Sequence, residues 1–189
     1  MSKKELGASY YNRLIPDSIS QYWVDLYNTI ICLLPDDVNI KIADLGCGPG
    51  LFAEFPFNAG YVNYWGIDFA KECIKLARKR VPSYKYTVGN LYDKNIQKEF
   101  KNYDVFISVE SLEHMTNDLE VIKAIPKGKQ IILSVPNAGD ESHVRCFKKA
   151  SQVRERYSSL IEFVRELSVP GVRTKRFFWD VNKPINYDF

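Results

Sequence analysis

The 189-residue sequence contains no long hydrophobic run. No stretch approaches the roughly 20 consecutive apolar residues that a transmembrane helix requires. The opening residues Met1-Ser2-Lys3-Lys4-Glu5 are not followed by the apolar segment of a signal peptide. We therefore expect a cytoplasmic protein that makes no membrane contact.

Cysteine and histidine are both scarce. The four cysteines are scattered without C-x-x-C spacing, and the two histidines, His114 and His143, lie far apart in the chain. This pattern argues against a zinc site and against a disulfide framework, so we expect reduced thiols and no bound metal. Two imidazoles also leave few candidates for an acid or base that works near neutral pH.

The sequence has little net charge. Residues 140–189 hold 10 Lys/Arg against 7 Asp/Glu, and residues 1–139 hold 16 of each, so the surplus of +3 is C-terminal. A surplus this small is weaker than the clustered stripe of a nucleic-acid binder, which favours an ordinary solvated face. Nucleic acid stays an alternative partner because the C-terminal segment is both basic and aromatic, with Arg154, Arg156, Arg173, Lys175, Arg176, Phe177, Phe178 and Trp179.

Short apolar runs alternate with longer amphipathic segments, which is typical of an α/β fold. A chain of this length without a linker or repeat is expected to form one domain over residues 1–189, with residues 1–35 as an N-terminal helical lid segment. Parallel strands are predicted at residues 40–45, 62–67, 84–88, 105–109 and 131–135.

Helices are predicted between these strands. The first covers residues 19–34 with Asp17 or Ser18 as its cap, and a short helix after the first strand is expected to be interrupted by Pro56. Further helices are predicted at residues 70–80, 117–124 and 148–158. Two strand-like segments, 161–168 and 176–181, predict an antiparallel hairpin at the sheet edge.

The most distinctive motif is the glycine-dense turn Asp44-Leu45-Gly46-Cys47-Gly48-Pro49-Gly50, which follows the first strand. Its glycines remove Cβ atoms where the backbone must turn sharply and approach a ligand. The spacing differs from the dinucleotide motif G-x-G-x-x-G, and Pro49 removes an amide that a phosphate cradle would use. The turn lies where the carboxyl ends of parallel strands open a ligand crevice.

Asp68 ends the second predicted strand, 18 positions after Gly50. A carboxylate there can accept hydrogen bonds from both vicinal hydroxyls of a ribose. Taken singly, the glycines are explained equally well by a tight turn, and Asp68 by an N-cap before Ala70. Together, at neighbouring strand ends, they favour an adenosine-type ligand.

With these two motifs, the chain resembles the class I S-adenosylmethionine-dependent methyltransferases over about residues 10–181. The resemblance is to the branch in which Leu-Glu-His follows the fourth strand. It is carried by the segments Asp44–Gly50, Gly66-Ile67-Asp68, Ser108–His114 and Ser134–Asn137. It implies a Rossmann-like three-layer α/β sandwich with sheet order 3-2-1-4-5-7-6 and an antiparallel strand seven. It also implies methyl transfer from S-adenosylmethionine, with S-adenosylhomocysteine as product.

The resemblance also implies how the cofactor is bound. The glycine turn would hold the methionine part, Asp68 the ribose and the end of the third strand the adenine. Asn90 stands where the family usually has an acid, and its carbonyl can still accept from the adenine amino group. Leu91 would pack on the adenine ring or fill the core. The implied cofactor-binding residues are Tyr10, Asp44, Gly46, Cys47, Gly48, Gly50, Asp68, Phe69, Asn90, Leu91 and Glu110.

Methyl transfer from a sulfonium mostly requires alignment of the acceptor, and many acceptors need one base. His114, just beyond the fourth strand, is the candidate catalytic base, and the alternative is that it only hydrogen-bonds the backbone at a helix entry. Glu110 is placed by the resemblance beside the methionine end of the cofactor. Glu113 is expected to be structural.

Tyr11, His143 and Arg145 are the candidates for binding the methyl acceptor. The segment His143–Phe147 follows the strand-five loop and resembles a His-x-Arg-x-Phe run in relatives. Equally, Phe147 could anchor the loop while Arg145 pairs with an acid. The Tyr10-Tyr11 pair resembles the segment with which relatives cover the cofactor, and packing of exposed tyrosines is the alternative.

The expected acceptor is the oxygen or nitrogen of a small molecule such as a metabolite or sugar. A nucleic-acid acceptor ranks lower because the sequence has no Asn/Asp-Pro-Pro-Tyr/Phe motif. A non-catalytic cofactor-binding subunit is a further alternative. It arises because only the N-terminal segment and residues 136–148 are available to build an acceptor pocket. The sequence indicates no oligomeric state.

Overall fold

The computed structural model describes residues 4–13, 19–139, 141–163, 165–170 and 175–181, with side chains to Glu166. Its helices are α1 Ala8–Tyr11, α2 Gln21–Ile31, α3 Glu54–Asn58, α4 Lys71–Arg80, α5 Lys94–Glu99, α6 Asp118–Lys123 and α7 Ala150–Tyr157. Its strands are β1 Lys41–Leu45, β2 Asn63–Asp68, β3 Lys85–Val88, β4 Val105–Val109, β5 Gln130–Pro136, β6 Arg165–Pro170 and β7 Lys175–Val181. Two 3₁₀ turns, Phe100–Asn102 and Leu112–His114, flank β4.

The strands form one sheet in the order β3-β2-β1-β4-β5-β7-β6. Strands β1 to β5 are mutually parallel, whereas β7 is antiparallel to both β5 and β6. The chain winds outward from β1 to β3 and then returns to β4 on the other side of β1. A ligand crevice opens at such a reversal, outside the carboxyl ends of the strands. The predicted α/β fold with a mostly parallel sheet is confirmed.

Both faces of the sheet are covered by apolar side chains. Adjacent residues of a strand point to opposite faces. Accordingly, Ile42 belongs to the cluster that contains Leu26 and Ile74 of helices α2 and α4. Ala43 belongs to the other cluster, with Val121 of α6. Helices therefore lie on both faces of the sheet.

The helix predicted at residues 19–34 forms over Gln21–Ile31 and buries Leu26 and Ile30. The proposed caps Asp17 and Ser18 lie outside the described residues, and the residue at the N-cap is Ser20. Within the described ranges, no helix has the length and apolarity needed to cross a bilayer.

The prediction that Pro56 interrupts a helix is wrong. Pro56 is buried within α3, two residues after the helix begins at Glu54. Proline is tolerated there because the amides of the first helical turn have no partner inside the helix. By contrast, α4 ends at Arg80, before Pro82, as predicted from the restriction that proline places on the preceding residue.

Candidate active site

A cavity of about 880 Å³ opens at the carboxyl ends of β1, β2, β4 and β5. It lies at the reversal of strand order between β1 and β4. Thirteen of the fifteen predicted site residues line it, and these are Tyr10, Tyr11, Asp44, Gly46, Cys47, Gly48, Asp68, Phe69, Asn90, Leu91, Glu110, His114 and His143. The fold thus gathers around one cavity residues from positions 10 to 143 of the chain.

Gly50 is one of the two exceptions. A Cβ atom added at Gly50 would lie 2.8 Å from the Cα atom of Ala77 in helix α4. This glycine therefore lets the turn pack against α4, and close packing of helix and turn is enough to require glycine at this position. The predicted role of Gly50 in cofactor binding stays a prediction.

Asp68 is held by the backbone at the base of the cavity. Its carboxylate accepts hydrogen bonds from the amides of Gly48, at 2.9 Å, and Ala70, at 2.7 Å. Burial raises the pKa of Asp68, and these amide bonds oppose that effect. The N-cap residue of α4 is Ala70, so Asp68 holds the turn before the helix and does not cap it. Because an ionised carboxylate offers about four lone-pair positions, holding this turn and binding a ribose are compatible roles.

Asp44 lies at the carboxyl-terminal part of β1 and is buried. The hydroxyl of Tyr64 donates a hydrogen bond to its carboxylate. Burial raises the pKa of Asp44 to about 7, against the opposing effect of the Tyr64 hydrogen bond, and the nearby charge of Asp68 raises it further. The carboxyl group therefore changes its protonation near neutral pH.

The end of β3 forms another side of the cavity. The Oδ1 atom of Asn90 accepts from the amide of Tyr92 at 2.9 Å, a local turn that asparagine commonly stabilises. Leu91 is buried in the core and also lines the cavity, so it fills the core, and its packing on an adenine ring stays a prediction. The Gln97 side chain donates to the Leu91 carbonyl at 2.8 Å and fixes this loop.

Glu110 follows β4 with a backbone φ of 51°, a conformation that L-residues rarely adopt. Its amide donates to the Ser134 carbonyl at 3.1 Å, and the Ser134 hydroxyl donates to its carboxylate at 2.9 Å. Such strained residues concentrate at functional sites. The sequence showed the glutamate, but no sequence signal indicated its backbone conformation.

His114 and His143 come together although 28 residues separate them in the chain. Their ring centroids are 4.7 Å apart. The Nδ1 atom of His114 lies 3.2 Å from the Ser142 carbonyl oxygen, and that of His143 lies 3.1 Å from the Ala138 carbonyl oxygen. The sequence does not reveal this pairing, because the two histidines lie on loops that follow different strands.

Glu113 completes a group with the two histidines. Its carboxylate is buried, and one of its oxygens lies 3.6 Å from the Nε2 atom of His114. One ligand atom from each of Glu113, His114 and His143 lies within 4.8 Å of the others, so the three residues could hold a metal ion. The side chain of Tyr11 stands over His114 with a centroid separation of 5.7 Å.

Arg145 is the second exception, since it does not line the cavity. Its guanidinium donates to the carbonyls of Leu112, at 2.6 Å, and Thr116, at 3.0 Å, and lies 3.1 Å from the buried carboxylate of Asp118. The alternative, pairing with an acid, describes the structure, and Arg145 holds in place the turn that carries His114. Binding of the acceptor by Arg145 stays a prediction.

The N-terminal segment crosses the mouth of the cavity. Tyr10 donates from its hydroxyl to Glu141 at 3.2 Å. The carboxylate of Glu5 accepts from the Tyr92 hydroxyl at 3.0 Å and from the Thr116 amide at 3.1 Å. Residues 4–13 therefore cover the cavity in this conformation, and their movement as a lid stays a prediction.

Further lining residues were not among the predicted site residues. Trp23 and Tyr27 of α2 add an aromatic wall, and Met115 lines the cavity near His114. Their helical or apolar pattern indicated only core positions, because a side chain that lines a cavity has the same spacing as one that fills the core.

A family model described as a methyltransferase domain matches residues 42–127. The ubiquinone biosynthesis O-methyltransferase of Aliivibrio fischeri is 28% identical over 121 residues, which are 60% of this chain and 51% of that protein. The corresponding enzyme of Pelagibacter ubique is 32% identical over 83 residues, covering 43% of this chain and 34% of that protein. The chain thus spans about half the length, or less, of these curated relatives.

Solved structures share the fold over most of the chain. An N-methyltransferase from Bradyrhizobium japonicum in complex with S-adenosylhomocysteine has a TM-score of 0.71 at 13% identity, covering 94% of this chain and 97% of its own. Magnesium protoporphyrin IX methyltransferase from Synechocystis with bound S-adenosylmethionine has a TM-score of 0.67 at 15% identity. The match covers 93% of this chain and 90% of that protein. A [4+2]-cyclase has a TM-score of 0.65 at 12% identity, and the match covers 86% of this chain and 82% of the cyclase.

The domain match covers the strands and turns that carry the glycine motif, Asp68, Asn90 and Glu110. Structural similarity at such low identity shows the fold alone, and here it agrees with the sequence match. The matched domain and the shared fold both agree with the resemblance to the class I S-adenosylmethionine-dependent methyltransferases.

Proposed function

We propose that this protein binds S-adenosylmethionine in the cavity and transfers its methyl group to an oxygen or nitrogen of a small molecule. The observation that carries the proposal is the convergence of the glycine turn, Asp68 and Asn90 on one cavity at the reversal of strand order. Relatives that match the sequence are named O-methyltransferases, and similar structures hold S-adenosylmethionine or S-adenosylhomocysteine.

A small acceptor suits the dimensions of the cavity. Pockets for small molecules and cofactors measure about 300–1,000 Å³, and this cavity measures about 880 Å³ with the N-terminal segment across its mouth. A cofactor would occupy much of that space and leave room for a compact acceptor beside His114 and His143. The ubiquinone-related O-methyltransferases and the N-methyltransferase from Bradyrhizobium japonicum are consistent with this acceptor class.

His114 is the proposed general base. Its Nδ1 atom faces the Ser142 carbonyl oxygen, which can only accept a hydrogen bond, so the proton of the neutral ring resides on Nδ1. Nε2 then carries the lone pair and can take a proton from an acceptor hydroxyl or amine. The hydrogen bond from His114 to the Ser142 carbonyl is thus compatible with a catalytic role, because it orients the ring.

The remaining alternatives concern the reaction and the partner. The [4+2]-cyclase shares this fold, so the fold by itself does not fix the reaction. A non-catalytic cofactor-binding subunit therefore stays a second candidate. A nucleic-acid acceptor depends on the C-terminal basic segment, and Arg173 and the side chains of residues 175–181 lie outside the described residues.

We also propose that residues 1–189 form one domain and that the protein acts in the cytoplasm. The single continuous sheet through all described strands supports the first point. The second point rests on the sequence, in which no apolar run reaches the length that a membrane span requires.

Isothermal titration with S-adenosylmethionine and S-adenosylhomocysteine tests cofactor binding directly. If Asp68 binds the ribose, Asp68→Ala weakens affinity by at least about tenfold, equivalent to about 1.4 kcal/mol. Because Asp68 also accepts from Gly48, the variant's thermal unfolding is measured alongside, and Asp104→Ala serves as a control carboxylate far from the cavity. If neither ligand binds the wild-type protein, the proposed function is wrong.

Turnover over a panel of phenols, amines and sugars tests the catalytic step. His114→Ala is expected to lower turnover while S-adenosylhomocysteine affinity stays within about twofold of wild type. Retained turnover in His114→Ala would contradict the role of His114 as base. Cofactor binding without turnover on any acceptor would favour the non-catalytic subunit.

A further inference from the structure

We propose that Glu113, His114 and His143 form a binding site for one divalent transition-metal ion on the acceptor side of the cavity. This deepens the proposed function, on which it rests for the identity of the acceptor side. It goes beyond the expectation that the protein needs no metal.

The first observation is the geometry of the three side chains. One ligand atom from each residue lies within 4.8 Å of the other two, close enough for a shared ion after small side-chain adjustments. Glu113 and His143 are buried, and His114 is half-buried, so binding would occur where water competes little for the cation. All three residues line the same cavity, from which an ion could enter.

The second observation is the protonation state that the backbone imposes. Both Nδ1 atoms face carbonyl oxygens, those of Ser142 and Ala138, and must therefore donate. In each neutral ring the lone pair is then on Nε2. Histidines that bind metals almost always donate their other ring N–H to a carbonyl or carboxylate, and both histidines here already do so.

The third observation is the bracing of the two segments that carry the ligands. The carbonyl of Glu113 accepts from the amides of Val144, at 3.0 Å, and Arg145, at 3.3 Å. The Arg145 guanidinium in turn binds the carbonyls of Leu112 and Thr116, on either side of Glu113 and His114. The turn after β4 and the loop after β5 are thus tied together, which reduces the entropy lost when a metal joins them.

The ligand types indicate the class of ion. Two imidazoles with one carboxylate suit zinc, cobalt, iron or manganese, whereas magnesium and calcium prefer oxygen ligands. Three protein ligands leave at least one coordination position open, as in catalytic metal sites. An acceptor hydroxyl bound there would release its proton to solvent near neutral pH without an imidazole base, because a metal lowers the pKa of a coordinated oxygen. His114 would then act as a ligand in the metal-bound form.

The competing explanation is that a protonated imidazole, and not a metal, balances the charge of the buried Glu113 carboxylate. In that case His114 is a cation, and its contact with Glu113 at 3.6 Å is an ion pair. The two explanations differ in measurable ways, because only a metal site binds cobalt in a fixed ratio and moves the resonances of both histidines.

The test is a titration of the whole chelator-treated chain with Co²⁺, followed by visible absorption, and with Zn²⁺, followed by calorimetry. We expect one ion per chain and a Kd of about 10 μM or tighter. His143→Ala and Glu113→Gln should each weaken binding by more than about tenfold. Cys32→Ser is the matched control, because Cys32 is an exposed thiol that could bind the same ions, and its affinity should equal that of wild type.

Nitrogen NMR of the wild-type imidazoles keeps the proposal testable if a ligand variant does not fold. The sequence has only two histidines, so each ring can be followed separately. Zn²⁺ should shift both Nε2 resonances while both Nδ1 protons persist. The proposal would be overturned if no metal bound with a Kd below about 1 mM. It would also be overturned if Zn²⁺ shifted the nitrogen resonances of only one imidazole.

The metal and cofactor results are independent. Metal binding in a protein that does not bind S-adenosylhomocysteine would keep the metal site and reject the proposed function. If the protein binds the cofactor and turns over after chelation, and binds no cobalt, the metal site is rejected and the proposed function is kept.

Discussion

At the residue scale, burial changes the acid chemistry around the glycine turn. Asp44 is almost fully buried beside Asp68, and its principal hydrogen-bonding partner is the Tyr64 hydroxyl. Burial disfavours the ionised carboxylate and raises the pKa of Asp44 to about 7. The glycine-turn motif marks this residue, but its raised pKa depends on burial in the folded sheet, which the hydrogen bond from Tyr64 on the neighbouring strand β2 only partly offsets.

The raised pKa of Asp44 predicts a pH dependence of stability. In the unfolded chain the carboxyl ionises from its ordinary pKa of 3.8, whereas in the folded protein it ionises only near about 7. The unfolded state therefore binds fewer protons between these values, and the free energy of unfolding falls as pH rises from about 4 to about 7. Three pKa units correspond to a loss of at most about 4 kcal/mol.

Urea unfolding of the ligand-free wild type and of Asp44→Asn across this pH range measures the effect. Asparagine keeps an oxygen that can accept from Tyr64 but cannot ionise. The difference between the two proteins should therefore move in favour of the variant as pH rises, while contributions from all other groups cancel. A difference that is constant with pH would contradict the raised pKa.

At the element scale, the glycine turn combines two separate requirements. Gly48 and Gly50 both have positive φ, of 52° and 79°. A Cβ at Gly48 would meet nothing within 4 Å, whereas a Cβ at Gly50 would lie 2.8 Å from both the Cα and the Cβ of Ala77. Within the protein, Gly48 is therefore required only by its backbone conformation. Gly50 is required both by its backbone conformation and by its contact with α4.

Alanine substitutions separate these requirements. Gly48→Ala should cost about 1–2 kcal/mol of unfolding free energy through left-handed backbone strain. Gly50→Ala should cost about 1–3 kcal/mol more, because the rigid helix cannot move aside without disturbing its packing. Urea denaturation of the two variants checks the order, and equal losses would show that α4 yields to the extra carbon.

The turn that carries His114 is held by an ion network. Arg145 and Arg156 both contact the fully buried Asp118, and Tyr157 also donates to it, at 2.5 Å. Burial lowers the pKa of the Arg145 guanidinium, and the charge of Asp118 opposes that effect. Since Arg145 also binds the carbonyls of the turn, this network couples α6 and α7 to the position of His114.

Arg145→Ala is expected to lower the free energy of unfolding by about 1–3 kcal/mol, because it leaves two carbonyls and part of a buried carboxylate without their donor. The loss is limited because Asp118 keeps Arg156 and Tyr157. Arg154→Ala, which removes an exposed ion pair with Glu166, should cost less than about 1 kcal/mol. A stable Arg145→Ala protein with a raised KM for the acceptor would support the substrate-binding role.

At the scale of the whole molecule, the cavity lies under a segment that is fastened on several sides. Glu5 and Tyr10 reach the loops after β3, β4 and β5, and Asn12 accepts from the amide of Glu72 in α4 at 3.1 Å. These contacts are few and solvent-accessible, so the segment can open locally at low free-energy cost.

Amide hydrogen exchange tests whether residues 4–13 open and close over the cavity. Saturating S-adenosylhomocysteine should slow amide exchange in residues 4–13 more than in α7, which lies away from the cavity. Glu5→Gln, which weakens the bonds to Tyr92 and Thr116, should raise exchange in the segment without changing exchange in β1. Equal protection of the segment with and without ligand would show that it is a fixed wall and not a lid.

The sequence alone predicted the α/β fold and the positions of its parallel strands, whereas the strand order and most of the cofactor-binding residues came from the family resemblance. The strand positions depend on short-range patterns: short apolar runs, prolines after helices, and a glycine turn whose residues are contiguous. Because the carboxyl ends of parallel strands meet at one edge, residues that follow the strands are brought together whatever lies between them.

Only the tertiary structure decided which of those residues line the cavity and which pack against other elements. Gly50 packs on α4 and Arg145 binds Asp118, although both occur within ligand-binding patterns. The pairing of His114 with His143 depends on the distance between β4 and β5 and on the path of the following loops. No local pattern contains that distance, because it is set by hydrogen bonding between strands that are far apart in the chain.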